Sequence, residues 1–373
     1  MQKKSEKIAL FVPSLGGGGA ERVMVLLANG LIEEGLDVDL IVVNTNKGAH
    51  AAVLSEKVNL IDLKKSRTLA ALPEMVRYLK KSRPQVMISA LDYANVVNLV
   101  ARRLAGVSTK LIITEHNTLS VASQGDFRGM VRILPWLMKL TYPWADQILA
   151  VSQGVADDLA NKLNINRSKI AVAYNPVVTE QLNTLSAQDV QWPWLRENGV
   201  PVILAVGRLA RAKDFPMLLN AFALLRERQR ARLMILGEGE LRQELETQVA
   251  KFGIEEDVAM PGYLANPYAW MAKADLFVMS SAWEGFGNVL VEAMACGTRV
   301  ISTDCPSGPA EILGNGKWGT LVPVGDAKAL CEAMYRVLQG KGEVQGDAKE
   351  RAYDFTVEKS VKTYMDFIGK YLY

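Results

Sequence analysis

The feature that most constrains the fold of this 373-residue chain is an alternation. Short apolar runs, KIALFVPS, DVDLIVVN, QVMISA, KLIITEH and QILAVS, are each followed by polar or helical sequence. Between the first two lies AERVMVLLANGLIEEG, which is helical in pattern and closes at Gly35, a residue suited to the turn that ends a helix. Such runs read as buried strands of a parallel sheet joined by helices. The pattern lapses over residues 174–201, rich in Pro, Asn, Gln and Trp, and restarts with VILAVGRL, RLMILGEG, DVAMPGYL, DLFVMSS, RVISTD and TLVP. Two doubly wound α/β halves are therefore predicted, over residues 1–177 and 199–352, with a linker over 178–198. The helical, aromatic tail 353–373 is expected to cross back to the first half.

In open α/β sheets, ligands bind beyond the carboxyl ends of the strands. Two such sheets with facing carboxyl edges would leave a cleft, so the loops after the strands hold the candidates. In SLGGGGAER, residues 14–22, the consecutive glycines include Gly17 and Gly18 and precede a helix, where backbone N–H groups can approach an anion. The spacing fits neither the dinucleotide fingerprint nor a P-loop, and a flexible turn explains it as well. His116, in TEHN after KLII, can hydrogen-bond a ligand or simply a neighbouring carbonyl. Arg208 and Lys213, in VGRLARAKDF, place a planar fork of donors and a mobile point charge on a single loop, a combination suited to a diphosphate and equally open to reading as a solvated basic loop.

The stretch EGFGNVLVEAMACG, residues 284–297, carries Glu284 on a glycine-rich loop and Glu292 in the following helix. Asn288 is predicted to be the N-cap, so backbone amides near Gly287 and Asn288 would face an anion. Carboxylates at these positions suit sugar or ribose hydroxyls. They could also cap a turn and offset the helix dipole.

Charge and composition narrow the class. Residues 1–175 hold 22 basic against 15 acidic side chains, and residues 176–373 hold 21 against 25. The first half is thus suited to something anionic: nucleic acid, a membrane face or a phosphate-bearing substrate. Three cysteines with no CxxC argue against a disulfide scaffold and fit a reducing cytoplasm. With only two histidines, a zinc site built on several is excluded. The opening MQKKSEKIALFVPSL lacks a cleavage site and reads as a first strand, and no apolar stretch approaches a membrane span. Asp37 and Asp39 have the DxD spacing of metal-dependent sugar transferases, but they sit at the start of a strand, away from the carboxyl edge.

Taken in order, GGGGAER, VGRLARAKDF, EGFGNVLVE with its E-x7-E spacing, and SGPAEIL at 307–313 resemble glycosyltransferase family four, retaining nucleotide-sugar transferases of the GT-B fold. The resemblance runs through nearly the whole chain. It implies that Arg208 and Lys213 hold the donor diphosphate, that Glu284 contacts donor-sugar hydroxyls, and that Glu292 contacts the ribose. It also implies that amides near Gly287 and Asn288 add to the phosphate site, that Gly17 and Gly18 close on it, and that His116 sits beside the transferred sugar. No metal or other cofactor is implied, and retention would proceed by same-face displacement. CPSGPAEIL resembles members using UDP-linked hexoses or N-acetylhexosamines more than those using GDP-mannose.

The acceptor side falls in the first half. In FRGMVRILPWLMKLTYPW, residues 127–144, Arg128, Arg132, Trp136 and Lys139 fall on one helical face, and KKSR occurs at 64–67 and 80–83. Basic residues with an interfacial Trp suit an anionic membrane, although a solvated helix over an ordinary core fits too. The expectation is a peripheral enzyme on the cytoplasmic face of the membrane that extends a polyprenyl-diphosphate-linked or lipopolysaccharide-type glycan and has no nucleic-acid partner. Alternatives are a GDP-mannose-dependent mannosyltransferase, an epimerase of UDP-N-acetylhexosamine with the same shape, a dinucleotide-dependent oxidoreductase disfavoured by the failed fingerprint, and a non-catalytic binding protein.

Overall fold

A computed structural model describes residues 6–45, 48–122, 133–195, 199–341 and 345–372. The chain forms two compact units, Met1–Pro176 with Val357–Tyr373, and Val177–Thr356.

The first unit is built on a parallel sheet of β1 (Lys7–Val12), β2 (Asp37–Val42), β3 (Asn59–Asp62), β4 (Val86–Ala90), β5 (Lys110–Glu115), β6 (Gln147–Ala150) and β7 (Ile170–Val172). Their order is β3-β2-β1-β4-β5-β6-β7. The expected strands form because β1, β2, β4 and β5 are almost wholly buried, as helices on both faces require. The two edge strands, β3 and β7, were not expected: four and three residues long, they carry too little apolar signal.

The tail returns as predicted. The helix Val357–Ile368 packs on the helix Gly19–Glu33, and Val361, Tyr364 and Ile368 join the core that holds Leu27 and Leu31. Gly30 makes the approach possible, since a Cβ there would stand 2.4 Å from Val361 Cγ2.

In the second unit, β8 (Val202–Val206), β9 (Arg232–Leu236), β10 (Val258–Gly262), β11 (Leu276–Met279), β12 (Val300–Thr303) and β13 (Thr320–Val322) form a parallel sheet ordered β10-β9-β8-β11-β12-β13. Its core gathers Phe215, Leu218, Phe222 and Leu225 from the helix Phe215–Arg226, with Leu330 and Met334 opposite.

The expected linker is corrected. Residues 178–195 pack within the second unit: Leu182 and Val190 are buried, Asn266 Nδ2 donates to the Leu185 carbonyl at 2.9 Å, and Lys273 pairs with Asp189 at 2.7 Å. Trp192 meets Trp270 edge-on at 5.6 Å. The polar composition suggested a spacer, but its tryptophans and leucines supply enough apolar surface to dock. Residues 353–356 also belong here, because the N–H groups of Val177 and Val178 both donate to the Phe355 carbonyl.

Candidate active site

Sheet order decides which loops meet. In the second unit the order reverses between β8 and β11, and at such a switch point the adjacent loops diverge and leave room for a ligand. The loop after β8 carries Arg208 and Lys213, and the loop after β11 carries Glu284. Lys213 Nζ lies 2.5 Å from Glu284 Oε1, joining residues 71 positions apart. Their side chains are 22% and 12% exposed, so the pair is sheltered without being sealed.

The surrounding backbone fixes this pair. Lys213 ends the 3-10 turn Arg211–Lys213, and its carbonyl accepts from Ser280 Oγ at 2.7 Å. The Ala282 N–H donates to the Ala212 carbonyl at 2.8 Å, and Ser281 Oγ donates to Glu284 Oε1 at 2.7 Å. A Cβ on Gly207 would stand 3.3 Å from Lys213 Cγ, Cδ and Cε, so the lysine stem lies over this glycine. Arg208 pairs with a different carboxylate. It is 73% exposed and meets Glu240 at 3.1 Å, a surface pairing worth at most about 1 kcal/mol and easily exchanged for another anion.

The EGFG loop leads into the helix Asn288–Ala295. Gly287, in the left-handed region at φ 105°, holds the N-cap place, so the expectation of Asn288 there is corrected by one residue. Gly287 provides no capping side chain, which leaves the helix start dependent on other partners. The SGPAEIL loop rests against this backbone: a Cβ at Gly308 would stand 1.8 Å from the Phe286 carbonyl oxygen. Glu292 is buried at 2% exposure, as are its neighbours on this helix, with Tyr268 Oη donating to its Oε1 at 3.4 Å. Burial, and then the charge of Glu292, pushes the nearby Cys296 thiol up to about 12.

In the first unit the switch point lies between β1 and β4. The glycine loop follows β1, with Gly17 and Gly18 exposed and open space where a Gly17 Cβ would be. A Cβ on Gly18 would stand 2.1 Å from Glu21 Oε2. The Glu21 carboxylate thus folds over the start of the helix Gly19–Glu33, the place an incoming anion would take. His50, not singled out by sequence, steadies this loop, with its Nε2 3.1 Å from the Gly18 carbonyl oxygen.

His116 follows β5 at 8% exposure, and burial pushes its imidazole down to about 4. The residue before it is one that sequence reasoning missed. Glu115 is buried, accepts from Asn95 Nδ2 at 2.8 Å and receives the Tyr142 hydroxyl. Burial, then the negative charge of Asp92, pushes its carboxyl up to about 8. Its signal was only its place in TEHN, since its partners come from two other elements.

The remaining candidates fall elsewhere. Asp37 and Asp39 both pair with Lys7 at 3.4 Å, and Tyr78 and Asn59 donate to Asp39 at 2.6 and 2.7 Å, at the amino end of β2. Such a network accounts for the DxD spacing structurally. Among the described residues, no group of three or more His, Cys, Asp or Glu is placed to hold a metal ion. Arg128 and Arg132 lie outside the described residues. Pro135 stands in the first turn of the helix Leu134–Thr141, on which Trp136 and Lys139 are exposed. The most exposed apolar side chains there are Ile133, Trp136 and Leu140, at helical spacing and 52%, 65% and 51% exposed. No described helix is long and apolar enough to cross a membrane.

Comparison with known proteins places these features in a family setting. Residues 17–181 match Glycosyltransferase Family 4 and residues 187–355 match Glycosyl transferases group 1. A curated relative from Campylobacter jejuni is N-acetylgalactosamine-N,N'-diacetylbacillosaminyl-diphospho-undecaprenol 4-alpha-N-acetylgalactosaminyltransferase, 30% identical over 97% of this chain and 99% of its own. A second from that organism, GalNAc-alpha-(1->4)-GalNAc-alpha-(1->3)-diNAcBac-PP-undecaprenol alpha-1,4-N-acetyl-D-galactosaminyltransferase, is 27% identical over 98% of each chain. Among solved structures, Anabaena HepE in complex with UDP and glucose superposes with a TM-score of 0.79 at 21% identity, covering 98% of this chain and 100% of its own.

Proposed function

This chain belongs to glycosyltransferase family four, and on that premise we propose that it transfers a hexose or N-acetylhexosamine from a UDP-sugar to a lipid-linked glycan. Two relatives that match along nearly its full length are named for adding N-acetylgalactosamine to undecaprenol-diphosphate glycans, which supports a polyprenyl-diphosphate or lipopolysaccharide-type acceptor. The reaction is retaining and needs no metal ion. The bond from the anomeric carbon to the β-phosphate oxygen breaks, and the acceptor oxygen bonds to that carbon from the same face. The acceptor's proton passes to the departing phosphate oxygen.

The observation that carries this reading is the meeting of Lys213 and Glu284 at the switch point of the second unit. Lys213 neutralises the developing charge on the leaving diphosphate, and Glu284 is its counter-ion until the donor arrives. Glu284 then accepts from sugar hydroxyls. Arg208 leaves Glu240 to join the diphosphate, where a charge-assisted contact contributes about 1.5–3 kcal/mol. In the second unit, amides at Gly287 and Asn288 add to the diphosphate contacts and Glu292 takes the ribose. In the first unit, Gly17 and Gly18 offer amides to an anion, and His116 meets a sugar. The exposed face of Ile133, Trp136 and Leu140 with Lys139 rests on an anionic membrane that presents the acceptor.

A panel of nucleotide sugars, screened for hydrolysis and then supplied with lipid-linked acceptors, tests the assignment. Lys213→Ala should lower turnover by roughly 10²–10³, the scale for one preorganised charge stabiliser. Near-normal turnover in a folded variant would remove the phosphate assignment. An epimer formed from donor alone would replace transfer with isomerisation.

A further inference from the structure

The environment of His116 determines which hydrogen bond it can offer. Thr114, wholly buried near the end of β5, has its hydroxyl 3.1 Å from the Ser89 carbonyl oxygen of β4 and 3.0 Å from His116 Nε2. A hydroxyl has one proton and two lone pairs, and a carbonyl oxygen can only accept. The Thr114 proton therefore goes to Ser89. Were it turned to the imidazole, the Thr114 and Ser89 oxygens would face each other lone pair to lone pair at 3.1 Å, an unfavourable arrangement in a buried site. The threonine then has only a lone pair for the ring, so Nε2 must carry the ring's proton.

We infer that Thr114 is a positioning residue that locks His116 in the Nε2–H tautomer, so that Nδ1 presents a bare lone pair to whatever ligand the histidine meets. Burial keeps the ring neutral well below pH 7, so no second proton arrives on Nδ1. The ligand atom must then bring the proton: a sugar hydroxyl or an amide N–H satisfies Nδ1, and a phosphate or carbonyl oxygen does not. His116 is accordingly a selector for a donating group, and neither a phosphate ligand nor a general acid. That the ligand is the transferred sugar rests on the proposed function; the tautomer does not.

Nitrogen-15 NMR of histidine-labelled protein tests both parts separately. Only His50 and His116 contribute signals, and His50→Gln assigns them. Unliganded wild type at pH 7 should show His116 protonated on Nε2 alone. Thr114→Ser should keep that pattern, and Thr114→Val should shift population towards Nδ1–H. Predominant Nδ1–H in wild type overturns the inference, as does an unchanged tautomer in folded Thr114→Val. Should that variant not fold, the wild-type spectrum still decides.

With the nucleotide sugar that proves active, binding should move the His116 Nδ1 signal as expected for an acceptor. Thr114→Val should raise KM about fivefold, the scale of one neutral hydrogen bond, and Thr114→Ser should restore it. A bound donor that leaves Nδ1 unmoved overturns the ligand half while the tautomer stands. If no nucleotide sugar is turned over, the proposed function fails and the unliganded spectrum still tests Thr114.

Discussion

Glu115 shows how much a single buried carboxyl can set. It stays protonated in the folded protein to about pH 8, whereas an exposed glutamate releases its proton near 4.5. Between those values the folded state binds the extra proton, so stability falls as pH rises. His116 acts in the opposite sense, with about 4 folded against 6.5 unfolded, and its effect is complete above pH 6.5. Asp92, raised by burial, has the same sign as Glu115. From pH 6.5 to 8 the Glu115 slope should therefore emerge as a falling urea midpoint, and Glu115→Gln should flatten it. An unaltered slope in that variant would mean that Glu115 is already ionised. Glu115 was hard to find in the sequence because its partners, Asn95 and Tyr142, come from separate helical segments.

At the scale of elements, the contact between helices Gly19–Glu33 and Val357–Ile368 depends on a missing side chain. Gly30→Ala should gain about 1 kcal/mol in helix propensity. It should lose about 1–3 kcal/mol to overpacking, because the new methyl would stand 2.4 Å from Val361 Cγ2 and 3.3 Å from Val357 Cγ1. The expected net result is a lower melting temperature, recovered in part when Val361→Ala makes room. A more stable Gly30→Ala protein would show that the helices can separate without cost. The helical, aromatic character of the tail was legible, but the glycine that admits it looked like any other. Similarly, the stretch 178–195 gave composition cues for a spacer, and only its docking onto Asn266, Trp270 and Lys273 reveals a packed element.

For the molecule as a whole, the excess of basic side chains in residues 1–175 and the apolar face at Ile133, Trp136 and Leu140 make membrane association the property to measure. The protein should float with vesicles containing anionic phospholipid at physiological salt, less so as salt screens the charge. A Trp136→Ala, Leu140→Ala double variant should float less while keeping its melting temperature. Protein that remains unbound under all these conditions would remove the membrane partner from the proposal. Here the sequence pointed to Trp136 and Lys139 within a basic face, and the structure shows the described part of that face to be mainly apolar.

Alternation of strand and helix was written along the chain because strands buried on both faces need unbroken apolar runs, and the turns after them need glycine and polar residues. That local code determined two α/β units, the loops after β1, β5, β8 and β11, and the family motifs those loops carry. It could not determine which loops become neighbours, since pairing across a sheet depends on strand order. Sheet order alone brought Lys213 to Glu284 and left Arg208 with Glu240. It also brought Ser89 beneath Thr114, so the proton inventory around His116 is a property of the folded sheet: a hydroxyl's single proton goes to whichever acceptor the neighbouring strand supplies.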